Sequence, residues 1–92
     1  MNPVHITVYY DKNLQKITGV EKESMVVSSN TIFVYFLHCI FISYPLIPKT
    51  FPEGTLGMLL NNTPPTEYDV LQEGDVIKFT SVLEKRDMPL VN

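Results

Sequence analysis

The longest apolar stretch of the sequence, residues 31–44, limits most strongly what the chain can fold into, because only His38 and a few small polar side chains interrupt it. It is shorter than the roughly 20 residues that a membrane-spanning helix requires. Pro45 and Pro48 follow it, and prolines this close together end a helix. The stretch therefore predicts a buried element of a folded domain and no membrane segment.

Two structures compete for this stretch, a buried helix and a buried strand. Its Phe, Ile, Val and Tyr residues favour a strand. However, strands longer than about 10 residues are uncommon, and the stretch has no Gly, Asn or Asp that could turn it into a hairpin. Capping side chains lie at residues 28–31 and Pro45 follows Tyr44, as at the two ends of a helix. We predict the main helix at about residues 31–44.

The outer face of this helix is the unusual feature of the sequence. At about 100° per residue, one side carries Ile32, Phe36, Cys39, Ile40 and Ser43, and the other carries Val34, Leu37, His38, Phe41 and Ile42. A helix that packs against a sheet is expected to be polar on its second side, but here both sides are apolar. We therefore expect Val34, Leu37 and Phe41 to be covered by the loop at 45–55 or by another protein chain.

The rest of the chain has the pattern of a small α+β domain. Strands are predicted at residues 4–10, 24–28, 55–60 and 76–82, a short helix at 12–18 and a proline-rich loop at 46–54. Packing one main helix across a mixed sheet of four or five strands buries the apolar side of each. This is the β-grasp arrangement. We predict a single domain at residues 1–83 and a flexible tail at 84–92, where no pattern remains.

Composition narrows the classes of function. The 92 residues make one small domain, of which 45% are apolar and 18% charged. The net charge of −3 comes without a basic cluster, so we expect no nucleic-acid partner. Cys39 is the only cysteine, which excludes an internal disulfide and agrees with a reducing compartment. No signal-peptide pattern precedes the first strand, and we expect a cytoplasmic protein.

The chemistry-bearing residues do not form a catalytic pattern. His38 and Cys39 are neighbours on the predicted helix and would point about 100° apart, so we expect Cys39 to be a buried thiol. His5 is expected to face solvent, and Glu73 and Asp75 to lie in a solvated turn. The four glycines are isolated, so no phosphate loop is predicted, and the spacing of possible ligands fits no metal site. We predict a protein that is not an enzyme and holds no cofactor.

Several segments together resemble a known family. They read ITVYY at 6–10, LQKITGV at 14–20, TI at 31–32, YP at 44–45, LLN at 59–61 and LQEGDVI at 71–77. Their order and spacing resemble the small sulfur-carrier subunit of molybdopterin synthase. Residues 71–83 are also similar to the ubiquitin-related modifier that serves tRNA thiolation. The resemblance covers residues 4–83 and implies a ubiquitin-like β-grasp fold, with an activating enzyme or a synthase as partner.

The resemblance also implies where the reactive C-terminal carboxylate should lie. Members of this family carry a C-terminal diglycine, whose carboxylate an activating enzyme adenylates before sulfur is attached. Lys85 and Arg86 occupy that position here, and the sequence has no adjacent glycines. Three hypotheses remain. The protein is a non-covalent interaction module, or it is a sulfur carrier of the molybdopterin, thiamine or tRNA-thiolation type with an atypical tail. The third hypothesis is a diverged member of the family that no longer binds a partner.

We take the interaction module as our prediction. Its partner would be another protein or a second copy of this chain. The residues predicted to bind that partner are Val34, Leu37, Phe41, Phe79, Ser81 and Leu83.

Overall fold

The computed structural model describes residues 2–52 and 54–81, which form a mixed sheet with helices on one face. The strands are β1 (Val4–Tyr10), β2 (Lys22–Val27), β3 (Leu56–Leu60) and β4 (Val76–Ser81), and the helices are α1 (Lys12–Thr18), α2 (Phe33–Ser43) and α3 (Leu46–Thr50). The strand order is β2-β1-β4-β3. β1 and β4 are parallel, and the two outer pairs are antiparallel. The predicted β-grasp architecture is confirmed.

The core lies between α2 and the inner face of the sheet. The alternation predicted for β1 is confirmed, since Ile6, Val8 and Tyr10 are buried and His5 faces solvent. From α2, the buried side chains are Phe33, Phe36 and Ile40, which recur at the spacing of one helical face. The longest helix in the described part of the chain has 11 residues, and no described helix has the length and hydropathy needed to span a bilayer.

Stacked aromatic rings connect the helix to the two central strands. Phe36 lies parallel to Phe79 of β4 at 6.2 Å between ring centroids, and Phe79 lies parallel to Tyr10 of β1 at 6.0 Å. Phe33 tilts against Phe36 at 5.8 Å. Aromatic pairs at these distances are worth about 0.5–1.5 kcal/mol beyond the area that they bury. The rings therefore fix how α2 lies on the sheet.

A carboxylate connects this aromatic cluster to the end of α2. The Tyr10 hydroxyl donates a hydrogen bond to Glu23 Oε1 at 2.8 Å, and the Tyr44 hydroxyl donates to the same oxygen at 2.9 Å. Tyr10 and Tyr44 also meet edge to face. Burial, helped by the hydrogen bond to Glu23, raises the pKa of Tyr10 well above its usual value. The phenol is therefore held in its neutral form.

This raised pKa predicts a loss of stability at alkaline pH. Unfolded Tyr10 loses its proton near pH 10, whereas the folded protein keeps it. The contribution of Tyr10 to the free energy of unfolding should therefore be constant below about pH 9 and fall above pH 10 by about 1.4 kcal/mol per pH unit. Urea unfolding at pH 8, 9, 10 and 11 measures this. Tyr10→Phe should have a smaller alkaline fall, with the remainder coming from Tyr44, whose pKa is also raised by burial and by its hydrogen bond to Glu23; an equal fall in that variant would contradict the assignment.

The structure differs from the sequence prediction at the start of α2. The helix begins at Phe33 with Ile32 as N-cap, and no side chain caps it. Instead, the N–H groups of Phe33 and Val34 donate to the backbone carbonyls of Asp69 and Glu67 at 2.8 and 3.0 Å. The predicted capping side chains at 28–31 are not used, because a distant loop satisfies these groups. Sequence spacing alone does not indicate such a contact.

The predicted loop at 46–54 contains a further helix, α3. Pro45 is its N-cap and Pro48 lies in its first turn, where a missing N–H costs no helical hydrogen bond. Ile47 and Phe51 are buried in the core. The two prolines do not continue α2, but at these positions they permit a new helix to begin. This segment places its own apolar side chains under the end of α2.

Candidate protein-interaction site

Helix α2 has no charged side chain, and its orientation decides which apolar residues reach the surface. Phe36 and Ile40 face the core as predicted, but Cys39 is exposed. The prediction of a buried Cys39 thiol is therefore wrong. The inward face is centred on Phe33, Phe36 and Ile40, which turns Cys39 about 100° away from the sheet. His38 is also exposed.

Two of the predicted partner-binding residues line a concave apolar surface, which we name the α2–β3 groove. Leu37 and Phe41 form its α2 side and are half-buried. The remaining lining residues are Pro48, Phe51, Pro52, Gly54, Leu56, Met58 and Glu67. The groove encloses about 470 Å³. Segment 45–55 therefore covers part of the outer side of α2, as one of the two sequence hypotheses expected, but leaves an open depression beside it.

Strand β3 runs along this groove at the edge of the sheet. The Asn61 N–H donates to the Val76 carbonyl of β4, whereas the Leu60 N–H donates to Thr63 on the other side. Because backbone groups of alternate residues point the same way, Leu56 and Met58 direct their N–H and C=O groups away from β4. Their side chains pack against the core cluster. The groove thus has an apolar floor, and within residues 2–52 and 54–81 no further strand pairs with the outer edge of β3.

Val34 is half-buried and lies outside the groove lining. Its N–H donates to the Glu67 carbonyl, which brings the Glu67 backbone to the start of α2. The Glu67 side chain is exposed and lies at the rim of the groove. Among the described lining residues, it is the one that is acidic.

Phe79 and Ser81 do not belong to a partner surface. Phe79 is 2% exposed and Ser81 4% exposed, because both point into the core from β4. Their predicted place on a partner surface is therefore wrong, because α2 covers this side of β4 and Phe79 stacks on Phe36. Leu83, Lys85 and Arg86 lie outside the described residues.

The end of β4 is held by Asp11. One Asp11 carboxylate oxygen accepts a hydrogen bond from the Leu14 N–H at 2.9 Å and caps α1. The other accepts from the Ser81 N–H at 2.5 Å. This second contact was not predicted, because it joins residues that are 70 positions apart. It fixes the last described residue of β4 beside the start of α1.

The Glu73–Asp75 turn is more structured than the sequence indicated. Asp75 was expected to be solvated, but it is 9% exposed. Its two carboxylate oxygens accept hydrogen bonds from the Asn61 side-chain amide at 2.9 Å and from the Gln72 N–H at 2.7 Å. Asn61 in turn accepts from the Val76 N–H. These contacts lock the turn after β3 to the start of β4, so Asp75 has a structural role.

His5 of β1 and Glu73 of the turn before β4 form an exposed pair. The Glu73 carboxylate accepts a hydrogen bond from the His5 N–H at 2.9 Å, and its Oε1 lies 3.2 Å from His5 Nδ1. The backbone hydrogen bond, followed by the side-chain one, lowers the pKa of Glu73. Both side chains are about 64–65% exposed. This contact depends on the pairing of β1 with β4, which no local sequence pattern specifies.

Comparisons with known proteins agree with the fold. Subunit 1 of a molybdopterin converting factor from Pyrococcus furiosus is 16% identical, with a TM-score of 0.72 over 85% of this chain and 97% of that one. Small archaeal modifier protein 1 from Haloferax volcanii is 13% identical, with a TM-score of 0.73 over 85% and 97% of the two chains. The protein of the same name from Methanosarcina acetivorans is 14% identical, with a TM-score of 0.68 over 90% and 97%.

No family model matches the sequence, and no curated protein matches it. The likeness therefore rests on three-dimensional structure, in which the whole of each small protein is matched by most of this chain. The chain has the ubiquitin-like β-grasp fold of these small converting-factor and modifier proteins.

Proposed function

We propose that the protein is a ubiquitin-like interaction module that binds other proteins non-covalently through the α2–β3 groove. The observation that carries this proposal is an apolar depression of about 470 Å³ beside an open strand edge. Its volume lies in the range of roughly 300–1,000 Å³ that is typical of binding pockets. Apolar surface of this kind on a small domain is a mark of partner binding.

The groove favours an extended peptide segment as its ligand. Such a segment can add to β3 as a further strand and bond to the backbone of Leu56 and Met58. Alternate side chains of the segment then point into the groove against Leu37 and Phe41. Glu67 at the rim adds a negative charge that a Lys or Arg of the segment can approach. The proposed ligand is therefore an extended apolar segment of another protein with one basic residue.

A displayed library of random ten-residue peptides tests this proposal without a known partner. Peptides selected on the folded chain should be apolar with one Lys or Arg. Pro52→Asp places a charge at an exposed position of the lining and should weaken their binding at least tenfold. Glu67→Lys should weaken peptides that carry a basic residue and spare neutral ones.

The matched control for these variants is Val26→Asp. Val26 is 59% exposed and lies on β2 at the opposite edge of the sheet. Its substitution should change binding less than twofold. Selected peptides that bind Pro52→Asp as well as they bind the unchanged protein would contradict the groove as the binding site. Recovery of no binding peptide at all would contradict the function.

A sulfur carrier is the second candidate function. Its support is the likeness to a molybdopterin converting factor subunit, together with the Asp11 contact that fixes where the chain leaves β4. The partners would then be an activating enzyme and a synthase. The activating enzyme would join the C-terminal carboxylate to AMP and release pyrophosphate. Mass spectrometry of the chain after incubation with ATP and such an enzyme measures this, and an unchanged mass would contradict it.

A further inference from the structure

The face of α2 opposite the sheet carries a second apolar surface, separate from the groove. Tyr35 is 66% exposed and Ile42 is 65% exposed, and the exposed residues His38 and Cys39 lie between them. We name these four residues the outer α2 stripe. At about 100° per residue, all four lie within roughly 50° of one line along the helix. The stripe has no acidic or basic side chain other than His38.

We propose that the outer α2 stripe is an interface between two copies of this chain, which pack α2 against α2 in antiparallel orientation about a two-fold axis. The helices would pair at the midpoint of the stripe, between His38 and Cys39. Binding of a second copy goes beyond the proposed function, because it uses a different face of the helix and leaves the groove open.

The spacing of the stripe is self-complementary. Tyr35 and Ile42 lie on either side of the midpoint at equal distances of about 5 Å along the helix, given a rise of 1.5 Å per residue. A two-fold axis there places Tyr35 of each copy on Ile42 of the other. An interface between identical copies requires this kind of match, in which each contact occurs twice. The aromatic ring then packs on the aliphatic side chain in two places.

Charge also favours a second copy as the occupant. The chain has a net charge of −3, and two copies repel each other wherever their acidic residues meet. α2 has no acidic residue at all, so the two copies can approach along this helix with the least repulsion. A stripe without charge offers nothing to steer or hold a strongly basic partner.

The available area predicts a weak dimer. Exposed side chains of this size contribute on the order of 100 Å² each, so the stripe supplies roughly 400 Å² per copy. Two copies would bury roughly 800 Å² in total, below the 1,200–2,000 Å² of stable interfaces. The dimer should therefore dissociate on dilution from high to low micromolar concentration.

Cys39 provides a direct measure of this geometry. Packed helices lie 8–10 Å apart, and Cα atoms lie about 2.3 Å from each axis. Because Cys39 lies about 50° from the centre of the stripe, its Cα would come within roughly 5–7 Å of the Cys39 Cα of the second copy. A disulfide needs about 4.4–6.8 Å. A two-fold axis between His38 and Cys39 places the two Cys39 residues on the same side of the interface, offset by about 1.5 Å along the helices. Two thiols would then lose two protons and two electrons to dissolved oxygen, with copper phenanthroline as catalyst, and form one S–S bond.

Sedimentation equilibrium of the full chain between 5 and 500 µM, under reducing conditions, tests the dimer. We expect the mean mass to rise toward that of a dimer, and Ile42→Glu to weaken association at least tenfold. Val26→Glu, which adds the same charge at an exposed strand position, should leave it unchanged. A monomer at all concentrations, or equal weakening by Val26→Glu, would overturn the proposal.

Oxidation with copper phenanthroline tests the arrangement of the helices. The covalent dimer should form at least tenfold faster at 500 µM than in Ile42→Glu at the same concentration, and Cys39→Ser should form none. Equal rates in the two proteins would show random collision of thiols and overturn the antiparallel packing. Because these measurements do not involve the groove, they can fail while the peptide selection succeeds.

Discussion

Phe36→Ala is expected to lower the free energy of unfolding by about 4 kcal/mol, the largest effect of any substitution considered. Phe36 is 1% exposed and stacks on Phe79 of the central strand. Removing a buried phenyl ring loses its transfer free energy and leaves a cavity, which together cost about 3–5 kcal/mol. A domain of this size has roughly 5–15 kcal/mol in total. Urea unfolding followed by circular dichroism measures the change.

Tyr35→Ala is the matched control for this prediction. It removes an aromatic side chain from the next residue of the same helix, but Tyr35 is 66% exposed. Its substitution should change stability by less than about 1 kcal/mol at concentrations where the chain is monomeric. Similar losses in the two variants would contradict the orientation that we describe for α2.

Asp75→Ala is expected to cost about 3 kcal/mol, an unusually large effect for a residue in a turn. The buried carboxylate accepts hydrogen bonds from Asn61 and from the Gln72 N–H. Hydrogen bonds to a charged group contribute about 1.5–3 kcal/mol each, and alanine would leave both donors without this acceptor. Thermal unfolding monitored by calorimetry measures the loss. Amide exchange at Gln72 and Val76 should become faster.

Asp75→Asn tests whether the carboxylate or only the side-chain shape matters. The amide keeps one acceptor oxygen in nearly the same volume, so about half of the loss should be recovered. Glu73→Ala, two residues earlier in the exposed part of the turn, should leave the unfolding temperature almost unchanged, because exposed ion pairs contribute little to stability. A small effect of Asp75→Ala would mean that the turn after β3 is held by other contacts.

The elements of this fold are predictable from local patterns where those patterns are strong. β1 alternates cleanly between apolar and polar residues, and α1 has both an Asp11 cap and Gly19 at its end. The stretch that forms α2 was correctly identified as helical in spite of its strand-forming residues. The length of the stretch and the prolines that follow it favour a helix over a strand. The Pro-containing α3 was missed because its first turn tolerates the residues that end other helices.

The rotation of α2 was not predictable from the sequence. Both of its sides are apolar, so hydrophobic periodicity cannot tell the inward face from the outward face. The face is chosen by the fit of Phe33 and Phe36 on the sheet and by the Asp69 and Glu67 carbonyls that cap the helix. For this reason Cys39 was assigned to the core, although it lies on the surface.

Only one wall of the α2–β3 groove was predictable from the sequence. Leu37 and Phe41 were identified because an apolar outer face is unusual, and they line the α2–β3 groove. The opposite wall, with Leu56 and Met58, comes from the pairing of β3 with β4, which no local pattern specifies. Phe79 was misassigned for the same reason, since its burial depends on the helix that covers it.

The most direct test of the proposed interaction module is an amide map of the bound state. ¹⁵N-labelled protein is titrated with a peptide selected from the random library, and hydrogen exchange is measured at each backbone N–H. If the peptide adds to β3 as a strand, the amides of Leu56 and Met58 become protected at least tenfold, and the signals of Leu37 and Phe41 shift. Protection confined to β2 at the opposite edge, or shifts that leave the groove unchanged, would contradict the account.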